Sequence, residues 1–340
     1  MKIDFFARQR HYIDHLAPIW KALPLEFRGT FVISQEIRAY TESLIGPDRI
    51  GIYNGVFVPG TNPVLTAAYG DMSRVARNKS RKIITIEHGT GHGFGTAAYP
   101  NGKGGRRDLV DLFLMPNQYT ADKSRSVRAT PCEVIGTPKM DGYFPNVFPA
   151  VLSPNPLIAI AFHWGDRNAD PPESGNALEH YKDILPALAA RYRVIGHGHP
   201  LSMDTFRPIF HQAGIEVVED FREVLARADL LINDLSSVLY EFLVTGKPVI
   251  VLNAPWFRRD VHFGIRFWDY SDVGINVEGP EELFPAIDWT LAEYENICLK
   301  ERIRAIIELY PYLGHAAHRA ADVLVSYLQE MEKNVSRESN

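Results

Sequence analysis

The sequence is poor in the residues that build metal centres and covalent cross-links. Its 340 residues include two cysteines, Cys132 and Cys298, which lie far apart and in no metal-ligand spacing. A disulfide framework and a zinc site are therefore not expected, and the composition fits a reducing compartment such as the cytoplasm.

The sequence also lacks the features of a membrane or nucleic-acid protein. No apolar run approaches the ~20 residues of a membrane-spanning helix, and the opening residues (MKIDFFARQRHYIDHL) are too charged for a signal peptide. The 36 basic residues are outnumbered by 41 acidic ones, for a net charge of −5, whereas nucleic-acid binding usually needs a basic excess. We expect a cytoplasmic protein with no nucleic-acid partner, at most in peripheral contact with the inner face of the membrane.

What the sequence does contain is a regular alternation of short β-rich runs and longer amphipathic stretches. Such alternation is typical of βαβ units around a parallel sheet. In the first half, the predicted helices are Tyr12–Ala22 and Pro63–Arg77, and the predicted strands are Lys2–Phe6, Thr30–Ser34, Ile50–Val58, Lys82–Glu87, Leu112–Met115 and Glu133–Ile135.

A proline-rich stretch divides the chain. Asp141–Pro156 contains four prolines and no helical or strand period, which indicates a linker. The alternation then resumes, which predicts two doubly wound α/β domains, residues 1–145 and 146–310, and a C-terminal helix, 311–340. In the second half, the predicted strands are Leu157–Phe162, Arg193–Ile195, Glu216–Val218, Leu230–Asn233 and Val249–Leu252, and the predicted helices are Ala177–Arg191, Glu281–Leu309 with a break at Pro285, and His315–Lys333, before a frayed tail.

Ligands of doubly wound sheets bind beyond the carboxyl ends of the strands, so polar residues that follow strands are the candidates for function. The strand Leu230–Asn233 is followed by Asp234 and by the pair Ser236 and Ser237 at the start of a helix. Hydroxyls, unpaired backbone N–H groups and the helix dipole together make an anion site, although these residues also suit plain helix caps. Glu241 lies about one turn further along the same face, where it suits a ribose contact or a solvated helix position.

A histidine follows a second strand of this half. The run GHGHP, which ends in His199 and Pro200, continues the strand Arg193–Ile195, and its glycines would let a ligand approach the backbone closely. Pro200 holds His199 in an extended conformation, from which its ring can donate to a pyrophosphate oxygen. The alternatives are a metal ligand, for which no carboxylate or cysteine lies nearby in the sequence, and a purely structural histidine.

A glycine-rich segment follows the strand Lys82–Ile86 in the first half and reads EHGTGHGFG. His88 is the predicted general base, because an imidazole titrates near neutral pH. Glu87 is a weaker candidate as its partner, since neighbouring side chains of a strand point in opposite directions, and His92 is the second choice of base. A dinucleotide fingerprint is disfavoured, because no helix with an apolar period follows the glycines.

Other residues that follow strands are weaker candidates. Gly136, in the run GTPKMD that closes the first half, either lines the site or turns into the linker. Arg258 follows the strand Val249–Leu252 and either reaches a phosphate or lies at the surface. The remaining candidates are Arg259, Arg266, His163 and Arg167, and His11, Asp14 and His15, for which a helix face is the favoured explanation.

In this order the motifs resemble those of the CDP-glycerol glycerophosphotransferase family, which builds teichoic-acid-like polymers of bacterial surfaces. The resemblance runs from about residue 80 to residue 325, and three positions depart from it: Gly91-His92-Gly93, Leu235 and His197-Gly198. The matching elements are His88-Gly89-Thr90, Gly136 to Asp141, His199-Pro200, Asp234 with Ser236, Ser237 and Glu241, Lys247-Pro248, and Gly314 to Asp322.

The resemblance implies a GT-B fold, in which two Rossmann-like domains face each other across a cleft and the last helix packs back on the first domain. It implies a CDP-glycerol-like donor held by the second domain, with pyrophosphate contacts from His199, Ser236 and Ser237. His88 matches the family's base, which would activate a hydroxyl of a glycan or polyol-phosphate acceptor. Neither a metal nor a cofactor is required. The predicted donor-binding set is completed by Asp234, Glu241, Gly136 and Arg258.

We therefore expect a transferase that moves glycerol phosphate, or a similar alditol phosphate, from a CDP-activated donor to a hydroxyl acceptor in surface-polymer biosynthesis. Two alternatives stay open. One is a UDP-sugar glycosyltransferase or 2-epimerase of the same fold, and the other is a non-catalytic sugar-nucleotide binder. The fold alone does not separate these functions, because one fold carries many activities.

Overall fold

The computed structural model describes residues 1–55, 60–75, 81–89, 106–127, 130–145, 148–164, 176–234, 236–257 and 268–338. The described residues form two compact units. The first unit contains the described residues up to Gly142 together with those from Glu308 onwards, and the second contains the described residues from Tyr143 to Ile307.

Short strands and helices alternate in both units. Within the described residues the strands are β1 (Ile3–Ala7), β2 (Arg28–Ile33), β3 (Ile50–Ile52), β4 (Val64–Thr66), β5 (Ile83–Ile86), β6 (Leu112–Met115), β7 (Cys132–Val134), β8 (Leu157–Phe162), β9 (Arg193–Gly198), β10 (Glu216–Val217), β11 (Leu230–Asn233), β12 (Val249–Leu252) and β13 (Ile275–Val277). The α-helices are α1 (Arg10–Ala22), α2 (Arg38–Ile45), α3 (Tyr69–Val75), α4 (Gln118–Val127), α5 (Leu178–Tyr181), α6 (Leu185–Arg191), α7 (Met203–Gln212), α8 (Phe221–Arg227), α9 (Val238–Leu243), α10 (Pro280–Ala292), α11 (Leu299–Leu309) and α12 (Ala316–Glu338).

A parallel sheet forms the centre of the first unit. Over the described ranges it has seven strands in the order β3-β2-β1-β4-β5-β6-β7. Strands β1, β4, β5 and β6 are buried along their whole length, as expected for a parallel sheet whose two faces are both covered by helices. The strand order reverses between β1 and β4, and such a reversal marks the ligand-binding position of a doubly wound sheet.

The second unit repeats this architecture with six parallel strands among the described residues. Their order is β10-β9-β8-β11-β12-β13, which reverses between β8 and β11. Phe162 at the end of β8 packs against Phe206 and Phe210 of α7, with ring centroids 6.2 and 6.3 Å apart. The predicted α/β class with two doubly wound sheets is therefore confirmed.

The last helix, α12, packs on the first helix, α1, within the first unit. Ala320, Ala321, Leu324 and Leu328 lie on one face of α12 and share a hydrophobic core with Leu16 of α1. These residues are one, three and four positions apart, which is the spacing of the buried face of an amphipathic helix. The first sheet is thus covered on this face by residues from both ends of the chain.

Two residues, Gly136 and Asp141, fasten α12 to the first unit. Gly136 has a φ of +84°, and a Cβ at this position would lie 2.3 Å from the carbonyl oxygen of Pro311, so glycine is required. The carboxylate of Asp141 accepts the N–H groups of Ala316 at 3.0 Å and Ala317 at 2.8 Å. These amides begin α12 and have no partner inside the helix, so Asp141 caps the helix from a distant part of the chain.

The structure corrects the prediction for residues 63–77. Pro63–Arg77 is not one helix, because it begins with strand β4 and continues with α3. Strand β4 has three residues, all buried between β1 and β5, which is too short to show a period of two in the sequence. Strand β13 also has three residues and was not predicted.

The long helix predicted over residues 281–309 is also two helices. Helix α10 continues through Pro285 without a break. The interruption comes later, between α10 and α11, where Cys298 has a φ of +48°. The buried guanidinium of Arg302 donates to the carbonyl of Tyr294 at 3.0 Å, which satisfies backbone released at this interruption. The tail predicted to fray from Asn334 is helical up to Glu338.

Candidate active site

The carboxyl ends of β8, β9 and β11 bring polar residues from three parts of the second unit to one edge of its sheet. The three strands are neighbours, with β8 in the middle. His163 follows β8, His199 follows β9, and Asp234 follows β11. This edge, at the point where the strand order reverses, is where a doubly wound sheet binds its ligand.

Asp234 holds this edge together. It is 1% exposed, and its two carboxylate oxygens accept the backbone N–H groups of His163 and Ala177, each at 2.8 Å. The carboxylate therefore ties the residues after β8 and the start of α5 to the end of β11. This geometry makes Asp234 a positioning residue, and a direct contact between Asp234 and a donor stays a prediction.

Ser236 and Ser237 lie at the start of α9 and are both half-buried. Ser237 occupies the N-cap position, but its side chain makes no capping hydrogen bond. The Oγ of Ser236 accepts the N–H of Val238 at 3.5 Å, which is a long contact. Helix capping therefore accounts poorly for the two hydroxyls, whereas an anion at the helix start would use both.

Glu241 is 1% exposed, although it lies in the first turn of α9. The alternative interpretation of Glu241, a solvent-exposed glutamate on the helix surface, is therefore excluded. Its predicted contact with a ribose is not tested by the described residues and stays a prediction.

The ring of His199 has a defined tautomer. The N–H of Leu201 donates to its Nδ1 at 3.2 Å, so Nδ1 carries no hydrogen and the neutral ring has its N–H at Nε2. The ring centroid lies 5.7 Å from that of His163 and 5.9 Å from that of Trp164. His199 thus presents an N–H donor at the sheet edge, which is what a contact with a pyrophosphate oxygen requires.

The glycines beside His199 have a structural explanation that the sequence did not reveal. A Cβ at Gly196 would lie 2.6 Å from the ring of Phe210, and a Cβ at Gly198 would lie 2.2 Å from the ring of Phe206. These glycines therefore let α7 pack closely on β9, rather than let a ligand approach the backbone. His197 is buried, with its Nδ1 2.8 Å from the carbonyl oxygen of Val218.

The described residues of the two units were compared with the grouping that a metal centre requires. Across the described ranges, no three His, Cys, Asp or Glu side chains are grouped as metal ligands would be. The alternative interpretation, in which the two histidines of the GHGHP run are metal ligands, is thus not supported by the described residues.

In the first unit, His88 lies beyond the end of β5 in an aromatic and basic environment. Its ring meets the edge of Tyr12 with centroids 5.0 Å apart, and the ring of His15 lies 6.1 Å away. His11 lies near His88. The pKa of His11 is lowered to about 4, first by burial and then by the charges of His88 and Lys139. His11 and His15, for which the sequence favoured a plain helix face, therefore flank His88.

Glu87 directly precedes His88 and is 4% exposed. Its backbone N–H donates to the carbonyl of Leu114 at 2.9 Å, which extends the pairing of β5 with β6. Burial, the charge of Asp71 and the charge of Glu87 together raise the pKa of Tyr12 to about 12. Glu87 thus lies near the phenol of Tyr12, and its role as a partner of His88 stays a prediction.

Two predicted donor-binding residues receive no support from the geometry. The close contacts of Gly136 with the chain at Pro311 account for that glycine without a ligand. Arg258 lies outside the described residues, as do Arg259, Arg266, Arg167 and His92.

Comparison with protein families bears directly on the sheet edge of the second unit. Residues 172–274 match the family described as CDP-Glycerol:Poly(glycerophosphate) glycerophosphotransferase. The resemblance to the glycerophosphotransferases is confirmed. The matched range includes His199, Asp234, Ser236, Ser237 and Glu241, and it lies within the second unit. The comparison with curated protein sequences gives no match.

Solved structures share the fold of this glycerophosphotransferase-like chain. A UDP-GlcNAc 2-epimerase from Neisseria meningitidis, bound to UDP-GlcNAc, matches with a TM-score of 0.58 and 15% identity over 97% of this chain and 100% of its own. The wall teichoic acid polymerase TagF, soaked with CDPG, matches with a TM-score of 0.60 and 14% identity over 97% of this chain and 89% of its own. Another UDP-N-acetylglucosamine 2-epimerase matches with a TM-score of 0.61 and 14% identity over 97% of this chain and 96% of its own. The predicted GT-B class is therefore confirmed, whereas identities this low show the fold alone.

One element of the glycerophosphotransferase resemblance lies away from the candidate site. Lys247 directly precedes Pro248 and the strand β12, so it lies at the amino edge of the second sheet. Its Nζ donates to the carbonyl of Ala228 at 2.5 Å and lies 4.0 Å from the carboxylate of Asp229, and burial lowers the pKa of Lys247. This lysine supports the start of β11 and does not reach the strand ends that carry His199 and the serines.

Among the described helices, none combines the length and the apolar character needed to cross a bilayer.

Proposed function

We propose that the protein transfers an alditol phosphate, with glycerol phosphate as the first candidate, from a CDP-activated donor to a hydroxyl acceptor. The observation that carries this proposal is the match of residues 172–274 to the glycerophosphotransferase family, because that range contains His199, Asp234 and the pair Ser236 and Ser237. The acceptor is a glycan or polyol phosphate of a surface polymer. The reaction takes place in the cytoplasm, at most at the inner face of the membrane.

The donor pyrophosphate binds at the edge formed by β8, β9 and β11. The Nε2–H of His199 and the hydroxyls of Ser236 and Ser237 donate to its oxygens, and the amides at the start of α9 add their partial positive charge. Beside these groups, Asp234 ties His163 and Ala177 to the end of β11 through its two backbone hydrogen bonds. Neutral donors held in place before the reaction stabilise developing phosphate charge without having to reorganise.

His88 acts as the general base. The acceptor oxygen attacks the β-phosphorus of the donor while His88 takes the hydroxyl proton. The bond from the β-phosphorus to the bridging oxygen breaks, and CMP leaves with the electron pair. The neighbouring imidazole of His11 stays neutral at pH 7, since its pKa is about 4, so one positive charge develops in this group when His88 is protonated.

A thermal-shift and turnover experiment tests this proposal. CDP-glycerol and CDP should raise the melting temperature of the full chain more than UDP or GDP, and CMP should be released when an acceptor is added. Ser237→Ala should lose most of the CDP-glycerol shift. His88→Gln should keep that shift but lose at least about a hundredfold in turnover, which is the typical contribution of a general base.

Matched controls and contrary outcomes are available. His211→Gln removes an exposed histidine of α7 in the second unit and should change neither readout. Full turnover in His88→Gln would remove His88 as the base. A larger shift with UDP than with CDP would overturn the choice of donor.

A second candidate function is the reaction of a UDP-sugar. UDP-N-acetylglucosamine 2-epimerases that share the fold over 97% of this chain favour it. Such an enzyme would use the same pyrophosphate contacts, because they do not depend on the base or the sugar. Release of free UDP or epimerised sugar from UDP-GlcNAc, with no reaction of CDP-glycerol, would support this alternative.

A further inference from the structure

Three charged side chains meet at the carboxyl edge of the first sheet, next to the surroundings of His88. Arg8 follows β1, and Asp71 and Arg74 lie on α3, which follows β4. The strands β1 and β4 are the neighbours between which the strand order reverses. Ligands of doubly wound sheets bind at this position, but neither the family resemblance nor the proposed reaction assigns a role to these three residues.

The two arginines flank Gly70 at the start of α3. The Nε of Arg8 donates to Oδ1 of Asp71 at 2.5 Å, and Nη1 of Arg74 donates to the carbonyl of Gly70 at 2.6 Å. A Cβ at Gly70 would lie 3.6 Å from Nη2 of Arg8 and 3.7 Å from Nη1 of Arg74. Two guanidinium groups therefore approach the same point, and one carboxylate lies beside them.

Asp71 has an unused hydrogen-bond acceptor. The residue is 1% exposed, and its Oδ2 has no hydrogen-bond partner within the described residues. A buried carboxylate oxygen without a donor is costly, so such an atom in a native structure calls for an explanation. Burial raises the pKa of Asp71, against the opposing effect of Arg8. A hydroxyl group of a ligand would supply the missing donor.

Tyr12 connects this group with His88. The charges of Asp71 and Arg8 act on the phenol of Tyr12, and the ring of Tyr12 contacts the ring of His88. A small ligand at Asp71 is therefore one aromatic side chain away from the proposed base.

We propose that Arg8, Arg74 and Asp71 bind the acceptor as a polyol phosphate. The guanidinium groups of Arg8 and Arg74 bind its phosphate, and Oδ2 of Asp71 accepts one of its hydroxyl groups, which turns another hydroxyl towards His88. The assignment rests on the transfer reaction proposed above and gives that reaction its acceptor class. A neutral glycan would offer the two guanidinium groups no phosphate to bind, and inorganic phosphate has no carbon-bound hydroxyl group to turn towards His88.

Calorimetric titration of the full chain with sn-glycerol 3-phosphate tests the proposal without turnover. The compound should bind the unchanged protein, and Arg74→Gln should weaken its binding by about tenfold or more, because a charge-assisted hydrogen bond is lost. Asp71→Asn should weaken it similarly, since the amide keeps the contact with Arg8 and places a donor where Oδ2 accepted. Arg38→Gln removes an exposed arginine of α2 and should leave binding unchanged.

Two substitutions of one residue provide a sharper comparison. Gly70→Ala adds a Cβ at ordinary contact distance from both arginines and should bind sn-glycerol 3-phosphate almost normally. Gly70→Asp places a carboxylate between the guanidinium groups, near the start of a helix where an acidic residue is tolerated. It should therefore abolish binding of the anion, while the melting temperature stays close to that of Gly70→Ala.

The outcomes separate this proposal from the proposed function. The acceptor assignment is wrong if sn-glycerol 3-phosphate does not bind the unchanged protein, or if it binds all variants equally. Either result holds whether or not CDP-glycerol reacts. The role of Asp71 is wrong if inorganic phosphate binds as tightly as sn-glycerol 3-phosphate and Asp71→Asn changes the binding of neither compound. Binding that follows the expected pattern in a protein that does not react with CDP-glycerol supports the acceptor site and removes the transfer reaction.

Discussion

Asp234 and Asp229 offer a test of how the donor edge is held together. Asp234 follows β11 and accepts two backbone N–H groups at 2.8 Å. Asp229 precedes the same strand and is 3% exposed. It accepts the N–H groups of Ser153 at 3.2 Å and Leu157 at 3.0 Å. Each aspartate thus accepts two backbone N–H groups, at opposite edges of one sheet, and only Asp234 lies at the candidate site. Asp229 also accepts the hydroxyl of Ser153 at 3.2 Å and lies 4.0 Å from Nζ of Lys247.

Replacing either carboxylate by an amide should cost similar stability. Asparagine keeps one acceptor and turns an NH2 group towards the second backbone N–H, so one charge-assisted hydrogen bond is lost. We expect Asp234→Asn and Asp229→Asn each to lower the free energy of unfolding by about 2 kcal/mol. In a unit of this size that corresponds to a melting temperature lower by roughly 4–8 °C.

Donor binding should separate the two variants. Asp234→Asn releases His163 and the start of α5, which lie beside His199, so its affinity for CDP-glycerol should fall by about tenfold or more, equivalent to about 1.4 kcal/mol. Asp229→Asn should bind CDP-glycerol as the unchanged protein does. Calorimetric titration at a temperature well below both melting transitions measures the difference. Equal affinities in the two variants would refute the view that Asp234 organises the donor site.

Three further predictions concern the first unit and the packing of the second sheet. Asp141→Ala should lower the free energy of unfolding by about 2 kcal/mol and raise amide exchange along α12, whereas Asp122→Ala, at an exposed surface pair, should change neither. The pKa of His11 in the folded chain is about 4, below its unfolded value of 6.5, so the unfolded chain binds more protons between these values. Stability should therefore fall as pH drops through that window, by up to about 3 kcal/mol, and His11→Gln should flatten the dependence measured by urea unfolding. Gly198→Ala should lower the melting temperature because its Cβ meets the ring of Phe206, and an unchanged value would show that α7 adjusts freely.

The sequence predicted the sheets well where strands are long and apolar. The bounds of β8, β11 and β12 agree with the prediction to the residue, because each is a continuous apolar run between polar or proline-containing segments. The three-residue strands β4 and β13 were missed, although β3 and β7, which have the same length, were predicted. Strand β4 was missed because its residues were included in the helix predicted over Pro63–Arg77.

The candidate site was only partly visible in the sequence. His88, His199 and the serine pair could be named because each follows a strand, and all parallel strands end at the same edge. The contact of Asp234 with His163 joins residues 71 positions apart, and no local pattern predicts it. His11 and His15 lie four residues apart on α1, which is the spacing of an ordinary helix face, so their approach to His88 could come only from the tertiary structure.

The capping of α12 by Asp141 has a consequence for how the two units are connected along the chain. The chain leaves the first unit after Gly142 and returns to it at Glu308, and the hydrogen bonds from Asp141 hold the departing and returning segments side by side. In terms of chain connectivity, the second unit is an insertion into a loop of the first. Insertions are tolerated where their ends lie close together, so a shortened chain that joins Gly142 to Glu308 through a short glycine linker should fold as an independent Rossmann-like domain and retain the environment of His88.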